Sequence, residues 1–159
     1  MTAPITDTCI FQGDKYALIA ADNGRFISPA EFRMEPVMKS TACYSGFYAT
    51  YEFNELSLNL VRLVITTKGG RYIPIDKITP KFDNQEHAWV YSGLCERILY
   101  TGKIRLGKWL DYWDEHHPAE NVQIYAGYHG DRAARIFSTI FDISLTDGSI
   151  VEIVDRSED

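Results

Sequence analysis

Apolar and polar residues alternate with a period of two over much of this chain, and turn residues interrupt the alternation. The clearest case runs from Phe47 to Phe53, where positions 47, 49, 51 and 53 are Phe, Ala, Tyr and Phe. In the stretch that follows, Leu56, Leu58 and Leu60 alternate with Ser57 and Asn59. A turn at Asn54-Glu55 pairs Phe53 with Leu56, Tyr51 with Leu58 and Ala49 with Leu60. Every apolar side chain then shares one face, and a one-residue slip would set Ser57 and Asn59 against it. After Leu60 the phase moves to Val61, Leu63 and Ile65, which predicts a bulge or a strand buried on both sides.

The same reading extends along the chain. Lys15 to Ala21, followed by Asn23-Gly24 and Phe26-Ile27, predicts a hairpin, since Asn-Gly suits the tightest hairpin turns. Ser28, Pro29 and Glu31 predict a short helix with a capping residue, a proline at its first position and a capping-box acid. Pro36 ends it. Lys68-Gly69-Gly70-Arg71 reads as a tight turn returning through Tyr72-Ile73, residues 79–87 as a polar loop, and His87 to Tyr91 as a strand. In Arg97 to Leu106, Ile98, Tyr100, Ile104 and Leu106 point one way, with Gly102 as a bulge. Residues 107–117 predict a helix stopped by Pro118, with Trp109, Leu110 and Trp113 on one face. Val122, Ile124, Ala126 and Tyr128 alternate as a strand. The last hairpin joins Ile136–Leu145 to Ile150–Val154. A three-residue loop, Thr146 to Gly148, sets Val151 opposite Ile143 and Ile153 opposite Phe141, and so buries Val and Ile rather than Glu152.

These elements amount to about eight to ten strands and two short helices. The expected fold class is mainly β: a single antiparallel β-rich domain over 1–159, either a sandwich or a curved, partly closed sheet, with one or two short helices. Residues 1–8 and 156–159 are expected to be loose. With 159 residues, 45% hydrophobic and 24% charged, the composition is that of a soluble globular domain. Apolar runs fall far short of the ~18 residues of a membrane span. The opening MTAPITDTC has neither the basic start nor the apolar core of a signal peptide, so a cytoplasmic protein is expected.

The net charge of −6 counts against a nucleic-acid binder. Residues 1–80 hold eight acids and eight bases, whereas residues 81–159 hold fourteen acids and eight bases. The acidic excess therefore lies wholly in the second half; its plainer reading is a solvated, soluble surface, and its sharper reading is an acidic face that attracts a basic partner. The odd number of cysteines (Cys9, Cys43 and Cys95) and the absence of a CxxC pair predict reduced thiols. Cys43 and Cys95, beside apolar or aromatic neighbours, read as small buried hydrophobes.

Thr41-Ala42-Cys43-Tyr44-Ser45-Gly46-Phe47-Tyr48-Ala49-Thr50-Tyr51-Glu52 resembles a segment of a family of small uncharacterised bacterial proteins, T-A-C-aromatic-x-G-aromatic-x-A-T-aromatic-E. Leu56, Leu58 and the stretch from Arg97 to Leu106 are similar to a later strand of that family. The resemblance implies a bacterial, cytoplasmic protein and a shared fold, and carries over no catalytic set.

Chemistry is sparse. Asp111, Asp114, Glu115, His116 and His117 form the densest polar cluster. On a helix, however, His116 and His117 point about 100° apart, and the spacing is not that of HExxH, so no metal or other cofactor is expected. Its plainer reading is a solvated helix end whose histidines complement the dipole. His129 beside Asp131 has no G-x-S-x-G partner, because Ser45 lacks the first glycine. Glu52 is expected to pair with Arg62 or Lys103 across the sheet. Tyr44, Tyr48, Tyr112 and Tyr125 fall off the core phase, where exposed tyrosines beside acids resemble an interface. The leading expectation is a non-enzymatic protein-binding module, in its most concrete form an acidic bacterial immunity or inhibitor protein that neutralises a toxin or nuclease through a basic surface. Its binding residues are expected to be Asp111, Tyr112, Asp114, Glu115, Tyr44 and Tyr48. Two alternatives stand beside it: a small hydrolase using His129 or the Asp111–His117 cluster, and a β-barrel with a small-molecule cavity.

Overall fold

The computed structural model describes residues 7–38, 45–109 and 137–157. Among the described residues nine strands form one sheet: β1 (Thr8–Phe11), β2 (Asp14–Ala21), β3 (Phe47–Asn54), β4 (Ser57–Ile65), β5 (Lys81–Asp83), β6 (Ala88–Arg97), β7 (Gly102–Trp109), β8 (Phe137–Thr146) and β9 (Ser149–Asp155). The order β3-β1-β2-β7-β8-β9-β4 returns to β3, so seven strands close into a barrel, and β6 and β5 extend the sheet outward from β4. The fold is mainly β, and the curved-sheet alternative is the one realised. Most pairings are antiparallel, but β1 runs parallel to β3.

A seven-strand ring is narrow enough for side chains to fill it. Cys9, Tyr51, Leu58, Leu60, Leu63, Ile65, Ile104, Leu106 and Ile143 do so, at most 1% exposed. Toward one end, Phe11 makes edge contacts with Tyr16, Phe53 and Phe141 at centroid distances of 5.5–5.9 Å. Elsewhere in the core Phe26 lies 4.8 Å from Tyr51 and 4.6 Å from Tyr100. Phe26 and Ile27 are therefore core plugs rather than the return strand of an Asn-Gly hairpin. The first hairpin is instead β1–β2, turning at Gln12-Gly13. The expected loose start ends earlier than residue 8: Asp7 is buried and Thr8 opens β1.

The central hairpin keeps its predicted faces except at Leu56, which is exposed in the turn, and its register differs. Phe53 lies opposite Leu58 and Tyr51 opposite Leu60, with Asn54 paired to Ser57, so the turn is Glu55-Leu56. A bulge at Val61 moves the buried set to Leu63 and Ile65. The predicted helix near residue 30 is a single 3-10 turn, Pro29–Phe32, with Pro29 at its start and no side-chain cap from Ser28. It ends at Arg33, in a left-handed conformation, ahead of Pro36. The loop 79–87 contains β5. Ile98, Tyr100, Ile104 and Leu106 are buried as expected, although the chain leaves the sheet between Arg97 and Gly102. Residues 107–109 belong to β7 rather than to a helix, and the rest of the predicted helix lies outside the described residues, as does the predicted strand 122–128.

In the last hairpin Thr146 pairs with Ser149 across a two-residue turn rather than the expected three-residue loop, and a bulge at Val151 sets Ile153, not Val151, opposite Ile143, so that Val151 and Ile153 are exposed rather than buried. The barrel closes beside this turn, where the Leu58 amide donates to the Gly148 carbonyl (2.9 Å) and the Ile150 amide to the Leu56 carbonyl (2.9 Å). Gly148 has φ +80°, and a Cβ there would stand 1.8 Å from the Ile98 carbonyl oxygen, so only glycine fits. The chain after β9 is tied down: the Arg156 amide donates to the Ile140 carbonyl (2.8 Å), and the Ile140 amide to Ser157 Oγ (3.0 Å).

Candidate functional site

Of the six residues expected to bind a partner, Asp111, Tyr112, Asp114, Glu115 and Tyr44 lie outside the described residues, as do His116, His117, His129, Tyr125 and Cys43. Tyr48 is described, and the expectation of exposure is wrong for it. It is buried on the outer face of β3 with Val64, Ala88 and Val90, and its hydroxyl donates to Glu86 (2.7 Å). The outward extension of the sheet through β6 and β5 covers this face. Cys95 is exposed and Cys9 is the buried thiol, the reverse of the expectation for Cys95. Glu52 lies opposite Asn59, and Arg62 opposite Thr50, so the expected cross-strand ion pair does not form between them.

The buried charges serve the fold. Asp7 Oδ1 accepts from Arg25 Nη2 (2.9 Å) and from the Ala49 amide (2.9 Å), and the Arg25 guanidinium lies 3.8 Å over the Phe47 ring. This clamps the segment after β2 onto β3. Burial raises the Asp7 carboxyl above its usual range, and Arg25 opposes the shift. Burial likewise pushes the Cys9 thiol far up, with the Asp7 charge adding to it, so Cys9 is an inert core group. Asp142 accepts from Arg105 at 2.7 and 3.0 Å and from Arg156 at 3.3 Å. These hydrogen bonds, Arg105 first, hold its carboxyl below the ordinary range against the opposing effect of burial. Among the described residues no group of three or more His, Cys, Asp or Glu is placed to hold a metal ion.

Among the described residues two surfaces stand out. The first is β9. It meets β4 only at Ser149, because β4 then pairs with β6 from Asn59 onward. Among the described residues no strand lies along the outer edge of β9 beyond that point. Val151 is 64% and Ile153 42% exposed there, alongside exposed Glu152 and Asp155. An edge of this kind is open to a partner, and its carboxylates discourage pairing with another acidic chain.

The second surface is a cleft of about 580 Å³ between the end of the 3-10 turn (Arg33, Met34, Glu35) and the segment Thr67–Ile73. Its walls are fixed by backbone. The Val37 amide donates to the Thr66 carbonyl (2.9 Å), the Lys68 amide to the Glu35 carbonyl (3.0 Å), and the Thr67 hydroxyl to the Arg71 carbonyl. Exposed Arg33, Lys68 and Arg71 face one carboxylate, Glu35, which stands 3.9 Å from Lys68. Tyr72 lines the cleft and leans on Trp89 (4.6 Å), which contacts Phe82 (5.3 Å) and donates from its indole to the Gly70 carbonyl (3.1 Å). A neighbouring cleft of about 360 Å³ shares Arg33 and Ile73 but is lined by Glu31, Asp76 and Glu96. Sequence reasoning missed both clefts: Lys68-Gly69-Gly70-Arg71 signalled only a turn, and Arg33 is far from it in the chain.

No helix among the described residues is long and apolar enough to cross a membrane. No family model, curated protein or solved structure matches this chain.

Proposed function

We propose that this protein is a non-enzymatic binding module whose partner presents a basic surface, in its most concrete form an immunity or inhibitor protein acting on a toxin or nuclease. The observation that carries the reading is β9, an open strand edge where Val151 and Ile153 stand exposed alongside the carboxylates of Glu152 and Asp155. Apolar anchors with a charged surround are the composition of a protein interface. Strand addition along such an edge supplies main-chain hydrogen bonds without any catalytic group. The charge of −6 supports a basic partner, since it steers association with a surface of opposite sign. The buried carboxylates Asp7 and Asp142 are tied to structural arginines, which fits binding better than hydrolysis. Among the described residues the barrel interior is filled by side chains, which supports a surface-binding reading over a cavity-binding one.

The test is to purify the product of the gene immediately upstream and titrate this chain against it. The reading expects a basic toxin or nuclease domain whose activity falls to zero at one equivalent. An upstream product that neither binds this chain nor loses activity in its presence contradicts the immunity reading.

A further inference from the structure

The cationic cleft lies apart from the edge of β9 and has the opposite sign. We infer that it is a second binding site, which takes the carboxylates of a short acidic peptide segment and lays an apolar side chain of that segment on Tyr72 and Ile73. The inference does not depend on a basic partner at β9.

Three features carry it. The first is charge: Arg33, Lys68 and Arg71 share the cleft with a single carboxylate in a chain whose net charge is −6. Neither guanidinium has an ion-pair partner among the described residues, and the one ion pair in the cleft, Lys68–Glu35, is long and exposed on both sides. Arginine pairs with carboxylates through two parallel hydrogen bonds, a geometry that unpaired guanidinia leave available.

The second feature is preorganisation. The Tyr91 hydroxyl donates to the Ile73 carbonyl (2.7 Å) and lies 3.2 Å from the sulfur of Met34, so one buried group holds both walls. A cleft already in shape loses little entropy on binding. The third is the apolar platform, since Tyr72 is 42% exposed while its ring is backed by Trp89. A rigid, half-exposed aromatic is a favoured anchor.

The same geometry argues against a nucleic acid. Glu31, Asp76 and Glu96 line the adjoining cleft, directly past Arg33 and Ile73. A phosphate backbone running across both would meet three carboxylates, whereas a short acidic segment ends before them.

The experiment uses the full chain and a fluorescent peptide of four glutamates around one phenylalanine. Binding is read by anisotropy, with inorganic phosphate and a ten-nucleotide single strand as competitors. Saturable binding that weakens about fivefold or more in Arg33→Gln and again in Arg71→Gln is expected, on the scale of exposed ion pairs. Lys103→Glu, an exposed cation outside the cleft, should leave it unchanged apart from a small general charge effect. Tyr72→Ala should weaken the phenylalanine peptide but not its alanine counterpart. The three cleft residues are exposed, and unchanged melting temperatures show that the variants fold. Failure of the peptide to bind, binding that ignores Arg33 and Arg71, or displacement by the oligonucleotide at lower concentration than by unlabelled peptide would each overturn the assignment. Loss of peptide binding leaves inhibition of an upstream toxin unaffected, so the two readings fail separately.

Discussion

The hydroxyl of Tyr91, from the fully buried ring on β6, donates to the Ile73 carbonyl at 2.7 Å. Burial pushes the phenol up to about 12, so it remains a donor throughout the physiological range. Tyr51 presents the opposite case: its ring is as deeply buried, but its hydroxyl has no hydrogen-bond partner among the described residues. Removing a bonded hydroxyl leaves the Ile73 carbonyl unpaired and is expected to cost about 0.5–1.5 kcal/mol, whereas removing an unpartnered one relieves a desolvation penalty. Tyr91→Phe should therefore lower stability in denaturant titration, and Tyr51→Phe should leave it unchanged or raise it. Equal losses in the two variants would contradict this placement of the hydroxyls.

Closure of the barrel at Gly148 gives a second prediction. Its amide donates to the Tyr100 carbonyl (2.8 Å), and the Ile98 carbonyl occupies the place of a Cβ. Gly13 has a similar φ of +82° but open space around it. Gly13→Ala should show only the backbone cost, about 1–2 kcal/mol. Gly148→Ala adds a backbone clash and should lose clearly more, as a lower urea midpoint. A similar loss at both positions would mean that the 147–148 turn does not pack against the chain after β6.

Acid stability follows from Asp142. Its carboxyl is held low by Arg105 and Arg156, so the folded state favours the ionised form. That stabilisation is complete above the ordinary carboxylate pKa of about 3.9 and disappears as the pH falls through the depressed value. Asp142→Asn should be less stable than the parent at pH 6, with the gap closing toward pH 2. Asp7 runs the other way, because its raised pKa makes the ionised form a cost that grows as the pH rises through that raised value. A gap for Asp142→Asn that ignores pH would contradict the ion-pair account.

Thiol chemistry separates two of the cysteines. In a Cys43→Ser background, Cys95 should react with a maleimide at the rate of an exposed thiol. Cys9, with no exposure and a raised pKa, should react only on unfolding. Rapid labelling of both in the native state would contradict the packing around Asp7.

The faces of the central hairpin were legible because alternation has a period of two, but its register was not. Pairing Phe53 with Leu56 or with Leu58 buries the same face, so the apolar pattern does not choose between them; the turn does, with Glu55 at φ +59°. The bulge at Val61 was legible as a change of phase. β1 was not, since four residues are too few to show a period, and the parallel pairing to β3 is non-local. Tyr48 misled because alternation reports which residues face the core of one sheet, not whether the other face is covered. The cationic cleft joins Arg33 to Lys68 and Arg71 through a backbone bridge between Pro36 and Thr67, a contact without local signature.

The most direct test of the proposed binding role is the kinetics of the complex with the basic upstream product, measured at two salt concentrations with reversals at Glu152 and Asp155 and truncations at Val151 and Ile153. Exposed charges act over about 8–10 Å at physiological salt and mainly set the association rate, whereas apolar anchors set dissociation. Association should slow with added salt and with Glu152→Lys and Asp155→Lys, and dissociation should quicken in Val151→Ala and Ile153→Ala. Reversals at Asp111, Asp114 and Glu115, outside the described residues, test whether the acidic surface extends beyond β9. A complex whose association ignores salt and every one of these reversals, and whose dissociation ignores both truncations, would contradict the assignment of the acidic half as the interface.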